Sequence, residues 1–264
     1  MRSEGTTSEK AALSRKYRRN FLKTVLVRID FAAPIGLGTQ GPPKPVIDSL
    51  KKAFPLPEPK KVMVMEVIST PEGTQRNEHF QMQWLYHSRE RNRRVRIDEV
   101  SMYIEYDRYT RFENLRDTFM AVAQALFQSF QNLQIKRLGV RYIDKIEMKG
   151  TNYTDWAKYL DDNLLAAFRL ADDPKAITRA FHVLERRWGD DVQSRLQYGM
   201  PNPDYPSPIR KKLFVLDWDV FCVRLLDAVE LPALLDEFHK IAKLGFEGVI
   251  KDGLRRMMGV RSGN

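Results

Sequence analysis

Asp217 and Asp219 stand two residues apart in Phe214-Val-Leu-Asp-Trp-Asp-Val-Phe221. On a strand, that spacing points both carboxylates to one face. Two such oxygen donors can hold Mg²⁺ or Mn²⁺ for phosphoryl chemistry. They can equally meet arginines, and Arg28 and Arg141 sit on predicted strands at comparable positions. Structural acid–base pairs are common, so the ion-pair reading is preferred over a metal site.

The densest chemical signal is Arg89-Glu-Arg-Asn-Arg-Arg-Val-Arg96, five arginines in eight residues. A planar guanidinium fork matches phosphate oxygens. Trp84, Tyr86, Tyr103 and Tyr106 lie nearby and offer stacking faces for bases. The segment is expected to cap a protruding hairpin. Against this, Glu90, Asp98 and Glu99 can neutralise the same arginines.

Other signals are weaker. Gly36-x-Gly38-x-x-Gly41 matches a dinucleotide fingerprint, but Pro42, Pro43 and Pro45 follow where a helix must open. A turn-rich loop is expected there. His79, His87, His182 and His239 show no ligand spacing, and Cys222 alone cannot complete a zinc site. His239 and Glu247 lie about two helical turns apart, and a structural histidine is expected. No nucleophile elbow, P-loop or Cys/His pattern is present. No catalytic residue and no cofactor is expected, and the only metal candidates are Asp217 and Asp219.

The elements that must position these residues follow from periodicity. Residues 1–20 read as a basic, mobile arm. Val25, Val27, Ile29 and Phe31 alternate as a strand. Val46, Ile47, Leu50 and Phe54 have helical spacing, with Pro45 in the first turn. Strands are predicted over 62–68, 80–86 and 95–104. Leu115, Phe119, Val122, Ala123, Leu126, Phe127 and Phe130 form one apolar helical stripe, with Asn114 as N-cap. A strand over 135–146 follows. A helix is predicted around Trp156, Tyr159, Leu160 and Leu164. Strands over 177–186, 192–198 and 213–223 come next, and one long helix closes the chain. The order strand, helix, three strands, helix thus occurs twice. The expected class is α+β, in two similar halves, 21–134 and 135–264, each a mostly antiparallel sheet with helices packed on one face.

Three segments carry a resemblance: Ile135-Lys-Arg-Leu-Gly-Val-Arg-Tyr-Ile-Asp144, Phe214–Phe221, and Phe238-His-Lys-Ile-Ala-Lys-Leu-Gly-Phe-Glu247. Together the chain resembles a sporadically distributed prokaryotic family of uncharacterised proteins with R-x-G-x-R-Y-x-D, L-D-x-D-x-F and terminal-helix motifs. The family usually opens with Pro-apolar-x-Glu. Here Phe21-Leu22-Lys23-Thr24 stands instead, so no role of that Glu is carried over. The resemblance implies length, α+β class and prokaryotic origin, with an association to defence islands. It implies no activity.

Charge sets the functional expectation. The chain has 264 residues and a formal charge of +10. Residues 1–30 carry eight Lys/Arg against three acids, and residues 89–96 carry five against one. An acidic partner is therefore expected, nucleic acid first, RNA or DNA. The expected contacts are Arg15, Lys16, Arg18 and Arg19 of the arm and Arg89, Arg91, Arg93, Arg94 and Arg96. Alternatives are a metal-dependent phosphodiesterase or nuclease using Asp217 and Asp219, and a protein-interaction subunit without nucleic-acid contact. A single cysteine, no signal-like start and no membrane-length apolar run fit a cytoplasmic protein with no membrane partner.

Overall fold

The structure, a computed structural model, describes residues 3–70, 73–150, 152 and 154–261. Residues 1 and 2 of the expected arm lie outside that set. The arm's described part contains α1 (Ser3–Ser14) and the short strand β1 (Lys16–Tyr17).

The remaining elements run β2 (Leu22–Phe31), α2 (Lys44–Leu50), β3 (Leu56–Thr70), β4 (Gly73–His87), β5 (Arg93–Ile97), β6 (Ser101–Tyr106) and α3 (Phe112–Ser129). Then follow β7 (Ile135–Met148), β8 (Ala180–Trp188), β9 (Val192–Met200), β10 (Lys212–Leu226), α4 (Leu231–Val249), α5 (Asp252–Met258) and β11 (Val260–Arg261). Among the described residues, nine strands form a large antiparallel sheet in the order β3-β4-β5-β6-β2-β7-β10-β9-β8. A separate two-stranded ribbon joins β1 to β11. The fold is α+β, as the periodicity predicts.

The chain divides into two compact units. One comprises Leu26–Gly139 with Val223–Ala233, and the other Met1–Val25, Val140–Cys222 and Leu234–Asn264. The chain's N-terminal residues thus belong to the same unit as its C-terminal ones. In the first unit, Val27, Ile29, Phe31, Val95, Ile97, Met102 and Ile104 turn one strand face inward. The stripe Leu115, Phe119, Val122 and Leu126 of α3 is buried, as are Val46 and Leu50 of α2. Burying each such side chain is worth about 1.5–3 kcal/mol, and this dominates helix stability. Helix α3 starts at Phe112, so Arg111 rather than Asn114 precedes it.

The single strand expected over 95–104 is two strands. Asp98 interrupts it, because its Oδ1 accepts from Val100 N, Ser101 N and Ser101 Oγ at 3.1, 2.8 and 3.0 Å. This side chain offers the backbone a turn in place of the ladder.

In the second unit, Val140, Tyr142, Ile146, Phe214, Leu216, Trp218 and Val220 are buried, together with Leu235, Phe238 and Ala242 of α4. A Cβ at Gly245 would lie 2.6 Å from the Trp218 ring, so this position needs glycine for helix and sheet to approach. The helix expected around 156–164 is absent. Residues 154–165 form turns, followed by 3₁₀ turns at Ala166–Leu170 and Pro174–Ala176. Asp161 accounts for the difference: its N–H bonds the Val249 carbonyl and its carboxylate caps Asn163 N at 2.9 Å. The closing helix is likewise divided. Ile250 bridges Leu160, and Lys251 N bonds the Tyr159 carbonyl, which ends α4 before α5 begins.

Among the described residues, no helix is long and apolar enough to cross a membrane.

Candidate functional site

Alternation along β10 places Val215, Asp217, Asp219 and Phe221 on one face, opposite to Phe214, Leu216 and Trp218. Arg141 reaches that face from β7. Its Nε and Nη2 donate to Asp217 Oδ1 and Oδ2 at 2.8 and 2.6 Å. Both carboxylate oxygens are thereby taken by one guanidinium fork. Asp219 stands opposite Arg195 in the β9 register, and Arg195 Nε donates to Glu185 at 2.6 Å. Among the described residues, no group of three or more His, Cys, Asp or Glu is arranged to hold a metal ion. In the other unit, Arg28 donates to Asp30 of its own strand at 2.6 Å.

The glycine loop is organised around a carboxylate. Gly36 N and Gly38 N donate to the two Glu99 oxygens at 2.8 and 2.7 Å. These are the N–H groups that a phosphate would need.

Of the remaining motif residues, Tyr142 and His239 meet within the second unit, and Glu247 meets residues outside the motifs. The Tyr142 hydroxyl lies 2.7 Å from His239 Nδ1. Glu247 accepts from Tyr17 Oη at 2.6 Å, Arg15 Nη1 at 2.9 Å and Arg255 Nε at 3.3 Å. Burial, then the bond to Glu247, raises the Tyr17 phenol above its usual range, so it remains a donor. Asp144, on the core face beside Tyr142, is pushed up to about 8 by burial.

The arginine segment is a turn leading into β5, and its cations are mostly engaged. Arg91 donates to Glu58 at 2.8 Å. Arg94 grips Glu105 at 2.5 and 3.1 Å and lies 3.6 Å from Asp107. Arg96 lies 3.4 Å from Asp98 and 4.4 Å over the Tyr103 ring. Arg93 lies over the Tyr106 and Phe54 rings at 5.5 and 6.0 Å. Arg89 is exposed at the turn and forms no ion pair among the described residues. Of the acids expected to compete, only Asp98 is a partner here. Glu58, Glu105 and Asp107 are brought in by strand register, which sequence spacing does not display.

The arm meets the C-terminal segment that carries Lys251, Arg255, Arg256 and Arg261. Lys16 pairs with Arg261 and Tyr17 with Val260. Arg18 N and Arg19 N then donate to the carbonyls of Met258 and Gly259 at 3.0–3.1 Å. The Arg18 stem packs 3.6 Å from where a Gly259 Cβ would stand. Lys16, Arg18, Arg19 and Arg256 are all exposed. Among the described residues none of them forms an ion pair. A shallow depression is lined by Arg256 together with Lys158, Lys251, Asp252 and Arg255. Lys251 and Arg255 are held by Asp162 and by Glu247 with Asp252. Two-residue strands carry no periodicity, so this juxtaposition left no trace in the sequence pattern.

No family model, curated protein or solved structure matches this chain.

Proposed function

We propose that the protein is a non-catalytic binding protein that engages the phosphate backbone of nucleic acid, with Lys16, Arg18, Arg19 and Arg256 as its principal contacts. One observation carries this: the β1–β11 pairing and the bonds of Arg18 N and Arg19 N to Met258 and Gly259 bring Lys16, Arg18 and Arg19 to the end of α5, the helix of Arg256, and among the described residues these four exposed cations have no carboxylate partner. Paired arginines must give up a counter-ion before they meet phosphate, whereas unpaired ones release only water and salt. Arg89 is the one arginine of the 89–96 segment that is exposed and, among the described residues, has neither a carboxylate nor a ring contact. The test is oligonucleotide binding across a salt series, with RNA, single-stranded DNA and duplex DNA as separate arms. Absence of binding at about 50 mM salt, where phosphate contacts are strong, overturns the proposal. Heparin binding without oligonucleotide binding would assign the site to another polyanion.

A second reading, a protein-interaction subunit, is favoured by the β3–β4 ribbon. Strand β4 pairs with β5 only from Trp84 to His87, while its pairing with β3 runs to Gly73. Beyond β5 the ribbon is two-stranded, and Met63, Met65, Val67 and Phe80 on one face are exposed. Residues 56–87 hold three Lys/Arg against four Glu, so the ribbon lacks the charge that draws a polyanion. An apolar face with an open edge at β3 suits a second copy of this chain. Sedimentation that finds a dimer, dissolved by Phe80→Glu, supports this. A monomer at all concentrations overturns it.

A further inference from the structure

Glu247 is the most buried ion-pairing group of the second unit, with its side chain 2% exposed. It stands on α4 and takes three donors, from Arg15, Tyr17 and Arg255. Arg15 and Glu247 are 232 positions apart in the chain. Arg255 also donates through Nη2 to the Glu247 carbonyl at 2.7 Å. One carboxylate thus neutralises a cation from each end of the chain. Without its charge, Arg15 would lose its counter-ion and Arg255 would keep only the exposed Asp252, with both guanidinium groups partly buried, an arrangement that costs free energy.

Besides Glu247, polar contacts hold the described part of the N-terminal segment, among them the bonds of Arg18 N and Arg19 N to the Met258 and Gly259 carbonyls. None of the α1 side chains from Glu9 to Ser14 is buried. Lys240 and Glu9 meet at 2.7 Å as an exposed pair, which contributes little. Lys243 Nζ donates to the Leu13 carbonyl. The β1–β11 ladder is two residue pairs long. The segment is therefore a strap pinned by polar contacts along one side of α4, with Glu247 as the desolvated one among them.

We propose that Glu247 is a positioning residue for nucleic-acid binding: it clamps Arg15 and Tyr17 so that Lys16, Arg18 and Arg19 are held beside Arg256. This rests on the proposed function above. Arg15 then serves as the anchor of the strap and not as a contact to phosphate. Lys16, Arg18 and Arg19 follow the clamp directly in sequence, so their placement is set by it.

The test combines two readouts on the full chain. The first is the rate of limited trypsin cleavage after residues 15–19 without nucleic acid. The second is affinity for a single-stranded oligonucleotide. Glu247→Gln keeps the shape and removes the charge. It is expected to speed cleavage at 15–19 about tenfold, and to weaken binding as much as Arg18→Ala/Arg19→Ala does. Combined with that pair it should cause a less than additive loss, confined to the Lys16 contact, because distinct residues acting through one element are not additive. A general loss of stability would instead add to it. Unchanged cleavage, or an additive loss of affinity, overturns the assignment of Glu247. Wild-type protein that ignores the oligonucleotide overturns the proposed function, while cleavage still reports on the clamp. If Glu247→Gln does not fold, Tyr17→Phe removes one donor, leaves the carboxylate with both cations, and should shift both readouts the same way by less.

Discussion

Arg141 and Asp217, 76 positions apart in the chain, meet fork to fork at 2.8 and 2.6 Å. The Asp217 side chain is 9% exposed and that of Arg141 37%. The carboxylate is thus taken from water while the cation keeps part of its hydration. A residue that looked like half of a metal site is committed to pinning β7 to β10. Truncating the arginine leaves a carboxylate largely desolvated and unpaired.

Arg141→Ala should therefore lower stability by about 2 kcal/mol, less than the full cost of breaking a buried pair because Arg141 is partly solvated. Urea denaturation measures this. Asp217→Asn should cost less, since an amide oxygen still accepts one of the two bonds. A wild-type unfolding midpoint in both variants contradicts the account.

Asp144 imposes a pH dependence of opposite sign to that of a salt-bridged acid. Burial raises its carboxyl from the ordinary 3.8 to about 8. The folded state then favours the protonated form. Below about pH 4 both states are protonated and nothing is lost. From there to about pH 8 the unfolded chain releases a proton that the folded chain retains, so stability falls as pH rises. Asp144→Asn removes the effect. The variant should gain on wild type progressively between pH 5 and pH 7, measured by urea midpoints. A constant difference contradicts this.

Arg94 and Arg18 should separate stability from binding. Arg94→Ala breaks the bonds to Glu105 and should destabilise by about 1–3 kcal/mol, the range for charge-assisted bonds in a partly buried site. It should leave oligonucleotide affinity within about twofold. Arg18→Ala should do the reverse. Thermal unfolding and fluorescence anisotropy on the same two proteins decide it.

Gly245→Ala should destabilise by about 1–3 kcal/mol, because the added methyl meets the buried Trp218 ring. Gly248→Ala on the same helix meets nothing within 4 Å and should be neutral or slightly stabilising. Equal unfolding midpoints for the two variants would contradict the close packing of α4 on β10.

Much of the fold was legible where one face is buried throughout. The alternation of Val25 to Phe31 and the stripe from Leu115 to Leu126 both carry their burial in their spacing. Legibility failed where a single side chain overrides the pattern, as at Asp98 and Asp161, which turn the backbone aside through their own hydrogen bonds. It failed again where a bond to a distant segment ends an element, as at Ile250. For the arginines of 89–96, Asp98 was visible as a partner because it is close in sequence. Glu58 and Glu105 were not, because strand register alone brings them near. The gathering of Lys16, Arg18, Arg19 and Arg256 depends on a two-residue ladder and one buried carboxylate, neither of which has a period to detect.

The most direct test of the account is the salt dependence of oligonucleotide affinity in wild type and in Arg18→Ala/Arg19→Ala/Arg256→Ala. Four phosphate contacts predict a slope of log K against log salt of about −3.6 on duplex DNA and about −2.8 on single strands. The triple variant should retain about one quarter of that slope. A wild type that does not bind, or a triple variant with an unchanged slope, contradicts the assignment of these cations as the binding surface.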